Sequence, residues 1–203
     1  MNYKANWIKD KLYKNNFIGV QLNKNIIFPY LNILKEYINN DEHYNKVVNN
    51  VDDYYIKVIT PMEVIEVIDE IGLLFNDKID RVLDIEIEDI KFKGLGKQNR
   101  EYDTCYYVII ESEFLNEIRK SMGLNPKDLY ITLAFDGNNI HNKPKDESTI
   151  IKVDSDLSKY LRLSIKQWKS WNFIKHLDNY PDILKDREID IEIIEQSDDI
   201  LKI

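Results

Sequence analysis

The sequence predicts an α/β (α+β) fold in a single domain, and three observations carry that reading. Apolar strand-like runs alternate with helical patterns between Tyr54 and Phe135, in the order strand, helix, strands, helix, strand. Two of the strand-like runs resemble each other: Tyr55-Ile56-Lys57-Val58-Ile59-Thr60 and Tyr130-Ile131-Thr132-Leu133-Ala134-Phe135. With 203 residues, 43% of them hydrophobic, and no Gly, Ser or Pro linker, the chain is long enough to bury one core without metal or disulfide staples.

Taken in order, residues Tyr3 to Tyr13 place Trp7, Ile8 and Leu12 on one stripe among lysines, predicting a short solvated helix. Pro29 sits well at a first helical position, so a second helix is expected to start there and run through Leu31, Leu34 and Ile38. The polar, Asn-rich stretch from Asn39 to Asp53 reads as a loop, closing an N-terminal helical segment over residues 1–50. The first Tyr strand follows. Thr60, Pro61 and Glu63 then supply an N-cap, a first-turn proline and a capping-box glutamate for a helix through Ile71 and Leu74; capping accounts for Thr60 better than ligand contact does.

Val82 to Glu88 alternates apolar and acidic residues, as a strand with one wet face would. Gly94 and Gly96, among Lys93, Lys97 and Arg100, predict a turn whose amides and lysines either approach a phosphate or simply face water. Tyr106 to Ile110 is continuously apolar, hence a central strand. Ser112 caps a helix that Gly123 ends, and the second Tyr strand comes next, also expected to be central. Beyond it lie a possible strand at Thr149 to Val153, a helix from Leu157 to Leu177 carrying Trp168, Trp171 and Phe173, and an acidic edge strand from Glu188 to Glu195. The C-terminal helix and acidic tail are thus placed over 152–203.

The net charge of −8 argues against coating nucleic acid through phosphate contacts, while leaving room for one nucleotide in a locally basic pocket. Cys105 has no second cysteine to pair with, and no N-terminal run has the length or flanks of a signal peptide or membrane span. A protein of a reducing compartment, the cytoplasm, is expected, with no membrane partner. The abundance of Lys, Asn, Ile and Tyr is that of an AT-rich genome, viral or cellular.

Alternate residues of a strand share a face, so Tyr55 with Lys57, and Tyr130 with Thr132, present two matching polar pairs. These pairs, with Thr60-Pro61-Met62-Glu63, Phe92 to Lys97, and Phe135 to His141 followed by Lys145, resemble the two-histidine (2H) phosphoesterases, in the branch called Swiss Army Knife RNA repair-like. The resemblance covers a core at about 53–151 and implies a pseudo-symmetric, two-lobed sheet with flanking helices and a central cleft. It also implies that Tyr55 and Tyr130 stand at the two catalytic His positions, that Lys57 stands where the family has Thr, and that Thr132, His141 and Lys145 keep their family positions. No cofactor or metal is implied, and the separate contexts of His43, His141 and His176 lack metal-ligand spacing.

Histidine can take or give a proton near neutrality because its unperturbed pKa is ~6.5. A phenol, at about 10, would need on the order of 4 kcal/mol of differential stabilisation to do so. Tyr keeps a hydroxyl and a stacking ring, and Lys57 adds a charge, so these changes suit a binder of a nucleotide or an RNA-end phosphate better than a catalyst. An active RNA-end or cyclic-phosphate phosphodiesterase using His141, and a protein-interaction scaffold using the Trp168 to Phe173 cluster and acidic tail, are the alternatives. The bland readings are core aromatics for the tyrosines, a buried Thr hydrogen-bonded to the adjacent strand for Thr132, and a loop residue for His141. Lys93 and Lys97 complete the candidate ligand-binding set.

Overall fold

The computed structural model describes residues 3–9, 15–51, 53–72, 74–83 and 85–151. The chain divides into two compact units, 1–152 and 153–203, and all described residues lie in the first. The expected helix at Leu157 to Leu177, the strand at Glu188 to Glu195 and His176 lie outside them.

Among the described residues, seven strands form two antiparallel sheets. β1 (Tyr3–Lys9), β2 (Asn16–Gln21), β3 (Tyr55–Ile59) and β4 (Glu86–Ile87) build the first, in the order β3-β2-β1-β4. β5 (Lys91–Arg100), β6 (Asp103–Glu111) and β7 (Leu129–Asp136) build the second, in that order. β3 and β7 are edge strands of their own sheets, and they lie against one another. The two strands that look alike in sequence are therefore the edges along which the sheets meet. Five helices accompany them among the described residues: α1 (Lys24–Ile38), α2 (Asp41–Val48), α3 (Pro61–Ile71), α4 (Leu74–Asp80) and α5 (Glu113–Ser121).

Where the chain signals its own ends, sequence and structure agree. Thr60 Oγ1 accepts from the Glu63 amide while Glu63 Oε2 accepts from the Thr60 amide at 2.8 Å, closing the capping box of α3. Ser112 Oγ accepts from the Leu115 amide at 3.1 Å to start α5, and Gly123 follows that helix at φ +82°. β6, fully buried from Cys105 to Ile110, is the centre of its sheet as expected.

Seven expectations are corrected. Tyr3–Lys9 is a strand, because β2 and β4 pair with it on both sides and this pairing outweighs a weak helical stripe; residues 10–14 lie outside the description. α1 begins at Lys24 rather than Pro29: Asn23 Oδ1 caps it from 2.9 Å, and Pro29 sits buried inside, where its ring packs and the Asn25 carbonyl forgoes a donor. The Asn-rich stretch contains helix α2, because Asn39 closes α1 in the left-handed region at φ 49° and Asn40 caps α2 through the His43 amide. Val82 and Leu83 turn back on the Ile79 carbonyl, which leaves only Glu86–Ile87 of the alternating stretch as strand.

The fifth correction concerns Gly94 and Gly96, which lie within the ten-residue strand β5 and not in a turn. The ladder shifts register at Phe92/Gly94, and Gly96 faces Tyr107, whose ring occupies the space of a side chain: a Cβ on Gly96 would lie 2.5 Å from Tyr107 Cε2. Sixth, in the described part of the strand expected at Thr149 to Val153, Glu147–Thr149 is a short 3₁₀ turn and Ile150 forms a bridge to Gly96, while residues 152 and 153 lie outside the description. β7, moreover, is not central, so Thr132 lies on an edge strand.

Among the described residues no helix is long and apolar enough to cross a membrane.

Candidate phosphate-binding site

The site forms where β3 meets β7. On β3, Tyr55 and Lys57 pair across the ladder with Gln21 and Gly19, so both share the face that carries Phe17. The Tyr55 ring lies 4.7 Å from that of Phe17, and the Lys57 ammonium sits 4.7 Å above Phe17 and 5.5 Å from Tyr55, centroid distances that bring aromatic faces to the cation. On β7, Tyr130 pairs with Ile109 and Thr132 with Tyr107, placing the Tyr130 and Thr132 side chains on the Tyr107 face of the second sheet. Thr132 makes no side-chain hydrogen bond among the described residues.

Lys145 sits at the junction. Its residue is 1% exposed, its Nζ lies 3.6 Å from the Tyr130 ring centroid and 5.0 Å from that of Tyr107, and Cys105 Sγ is 3.8 Å away. The backbone is pinned there by Asp128, whose Oδ2 accepts from the Lys145 amide at 2.9 Å. Burial pushes the ammonium down to about 8; the nearby Cys105 opposes that shift and Lys57 adds to it. Lys57 also lowers Lys127, so Lys57 lies within the field of both of the other amines.

Tyr130 bonds to the loop that follows its own strand. Its hydroxyl lies 3.3 Å from His141 Nδ1. Burial drives the Tyr130 pKa well above the ordinary phenol value, with Cys105 and then Tyr55 adding to the rise. The phenol thus stays protonated as a hydrogen-bond donor. Lys145 faces the ring rather than the hydroxyl, so a phenolate at this position gains no compensating contact from it.

Of the residues singled out in the sequence, Tyr55, Lys57, Tyr130, Thr132, His141 and Lys145 converge. Lys97 does not: it pairs with Tyr106 on the opposite face, 5.5 Å from Tyr37 of α1 and 5.6 Å from Tyr106. Lys93 is held between Glu111 and Glu147 at 2.9 Å each. His43 lies by Asp136, 4.0 Å from its carboxylate.

Four neighbours of the site carry no sequence signal of their own. Tyr107 donates to Thr149 Oγ1 at 2.8 Å and its ring packs tilted against Tyr130, 5.8 Å between centroids, its pKa pushed up to about 12 by burial. Cys105 Sγ donates to Asn139 Oδ1 at 3.2 Å. Arg119, 3% exposed, binds the Val58 carbonyl at the end of β3, the Asn125 carbonyl and the Glu63 carboxylate, while Lys127 reaches Glu63 at 3.1 Å. Burial alone would raise Glu63, yet the bonds from Arg119 and the Thr60 amide, with Lys127, hold it at about 2. Gly at position 96, opposite Tyr107, was the one available hint. Among the described residues no three His, Cys, Asp or Glu side chains gather to hold a metal ion.

Two edge strands meeting through paired polar residues, in an α+β frame of two antiparallel sheets, define a phosphoesterase-like architecture. The family model described as Swiss Army Knife, 2H phosphoesterase domain matches residues 17–141, more than half of the chain, and the protein belongs to that family. The match begins at β2 and ends on His141, so it takes in β2 and α1, upstream of the core expected from the sequence. Comparison with curated proteins and with solved structures returns no match.

Proposed function

We propose that the protein binds a nucleotide or an RNA-end phosphate where β3 meets β7, with little or no turnover. The observation that carries this reading is Lys145, an ammonium buried to 1% exposure over two phenol rings, with no carboxylate partner for its side chain among the described residues. A buried cation without a counter-charge is costly, and a phosphate oxygen beside it removes that cost. Lys57 supplies a second charge from β3, Thr132 a hydroxyl, and Tyr55 and Tyr130 supply donors with rings beside them. Tyr130 is not set up as a general base, because its burial drives it away from neutrality. Binding groups that act equally on ground and transition states give affinity without rate.

The Tyr130–His141 contact favours a second reading, a metal-independent phosphodiesterase in which His141 gives or takes the proton. The scaffold reading draws on residues outside the description. Mass spectrometry of small molecules that co-purify with the protein, followed by incubation with RNA ends and cyclic nucleotides, separates the readings. A retained, unconverted nucleotide is expected. Conversion that disappears in His141→Ala would replace the binder by the enzyme, and neither retention nor conversion would defeat both.

A further inference from the structure

We infer that Arg119 is a positioning residue for the phosphate site: it clamps the end of β3 to the segment leading into β7, and so fixes how the wall of Tyr55 and Lys57 stands against the wall of Tyr130 and Thr132. The inference rests on the binding reading above and extends it.

The two walls come from different sheets. Among the described residues no ladder joins β3 to β7, although the strands lie against one another. Apolar packing between them is non-directional, so their spacing and register depend on directional bonds from elsewhere. Arg119, buried on α5, supplies such bonds to both sides. Its Nη1 donates at 2.7 Å to the carbonyl of Val58, the residue after Lys57 on β3. Its Nε donates at 2.8 Å to the carbonyl of Asn125, ahead of β7.

Glu63 closes the tie. Standing just after β3, in the first turn of α3, it accepts from Nη1 at 3.0 Å, from Nη2 at 2.7 Å and from Lys127 Nζ at 3.1 Å. Asn116 of α5 accepts from the Lys127 amide at 3.1 Å, so the approach to β7 is held to the same helix at a second point. Lys57 is therefore adjacent to a residue bonded to Arg119, and Tyr130 stands shortly after the segment held by the same clamp. A buried ion pair is often no more stabilising than apolar side chains of equal volume; the planar fork of a guanidinium supplies fixed geometry instead. Arg119→Lys keeps the charge, but an ammonium is a point donor and cannot span acceptors on both sides as the fork does.

Isothermal titration of the full chain with adenosine 3′-monophosphate tests the inference in Arg119→Lys and in Leu34→Ala. The second variant opens a cavity on the buried face of α1 and controls for lost stability. Arg119→Lys is expected to bind at least ten times more weakly than the native chain, at a temperature where circular dichroism shows it folded. Leu34→Ala is expected to stay within twofold, and the ring resonances of Tyr55 and Tyr130 are expected to shift in Arg119→Lys alone. Native affinity or unshifted rings in Arg119→Lys, or equal weakening in both variants, would overturn the positioning role and leave the binding reading standing; no binding by the native chain would overturn both. Should Arg119→Lys fail to fold, Glu63→Asp takes its place under the same expectations, because it shortens the carboxylate that Arg119 and Lys127 share.

Discussion

Lys145 rests its ammonium 3.6 Å from the centre of the Tyr130 ring, on the side chain expected at a catalytic position of the family. The cation faces the π cloud and leaves the hydroxyl to His141. This division of contacts makes Tyr130 a donor and a platform rather than a base.

Replacing Lys145 by Met should raise stability near pH 7, because a buried ammonium without a carboxylate is removed and its volume is kept. The amine titrates at about 8 when folded, against 10.5 for the free side chain. Its folded pKa is depressed, so between about 8 and 10.5 the unfolded chain holds the proton that the native protein has released, and stability rises with pH. The advantage of Lys145→Met, roughly 2–3 kcal/mol at pH 7, should therefore shrink toward pH 10. Urea unfolding of both proteins at pH 7 and 10 measures it; a constant difference would contradict the assignment.

Glu63 predicts the opposite limb. Held at about 2 in the folded protein against 4.5 ordinarily, it contributes stability that is fully present above about pH 4.5 and lost as pH falls toward 2. Thermal unfolding between pH 6 and 2 should fall less steeply in Glu63→Gln than in the native sequence. Arg119→Met, which takes the guanidinium away from the Val58 and Asn125 carbonyls and leaves Glu63 to Lys127 and the Thr60 amide, should cost about 3–5 kcal/mol at pH 7.

Gly96→Ala should be destabilising by about 1–3 kcal/mol. The new methyl group meets the Tyr107 ring 2.5 Å away, and moving that ring breaks its bond to Thr149 and its contact with Tyr130. Chemical denaturation gives the cost. Tyr107→Leu in the same background should recover part of it, and a lack of recovery would show that the strain lies elsewhere.

Tyr130→Phe keeps the ring under Lys145 and removes only the hydroxyl. Because the phenol stays protonated, it should donate to Nδ1 and hold neutral His141 with its proton on Nε2. Nitrogen NMR of His141 should show that tautomer in the native protein and a mixture in Tyr130→Phe, with stability changed by less than about 1 kcal/mol. Nδ1 carrying the proton in both would reverse the roles.

Caps, capping boxes and the buried run of β6 are written locally, since each depends on groups within three or four residues of one another: Thr60 with Glu63, Ser112 with Leu115, Asn40 with His43. The last shows that the same signal was present in the Asn-rich stretch, where composition hid it. The spacing of Tyr55 with Lys57 and of Tyr130 with Thr132 likewise set which side chains share a face, because a strand repeats every two residues whatever surrounds it. Pairing partners are a different matter. Whether Tyr3–Lys9 coils or extends, and whether Gly94 and Gly96 turn or continue a strand, was decided by β2, β4 and β6 lying alongside, far off in sequence. So too with the burial of Lys145 against Cys105 and the reach of Arg119 to Val58: the sequence by itself named these side chains, but a charge acquires its energy only from its neighbours, and those neighbours are 40 and 61 residues away.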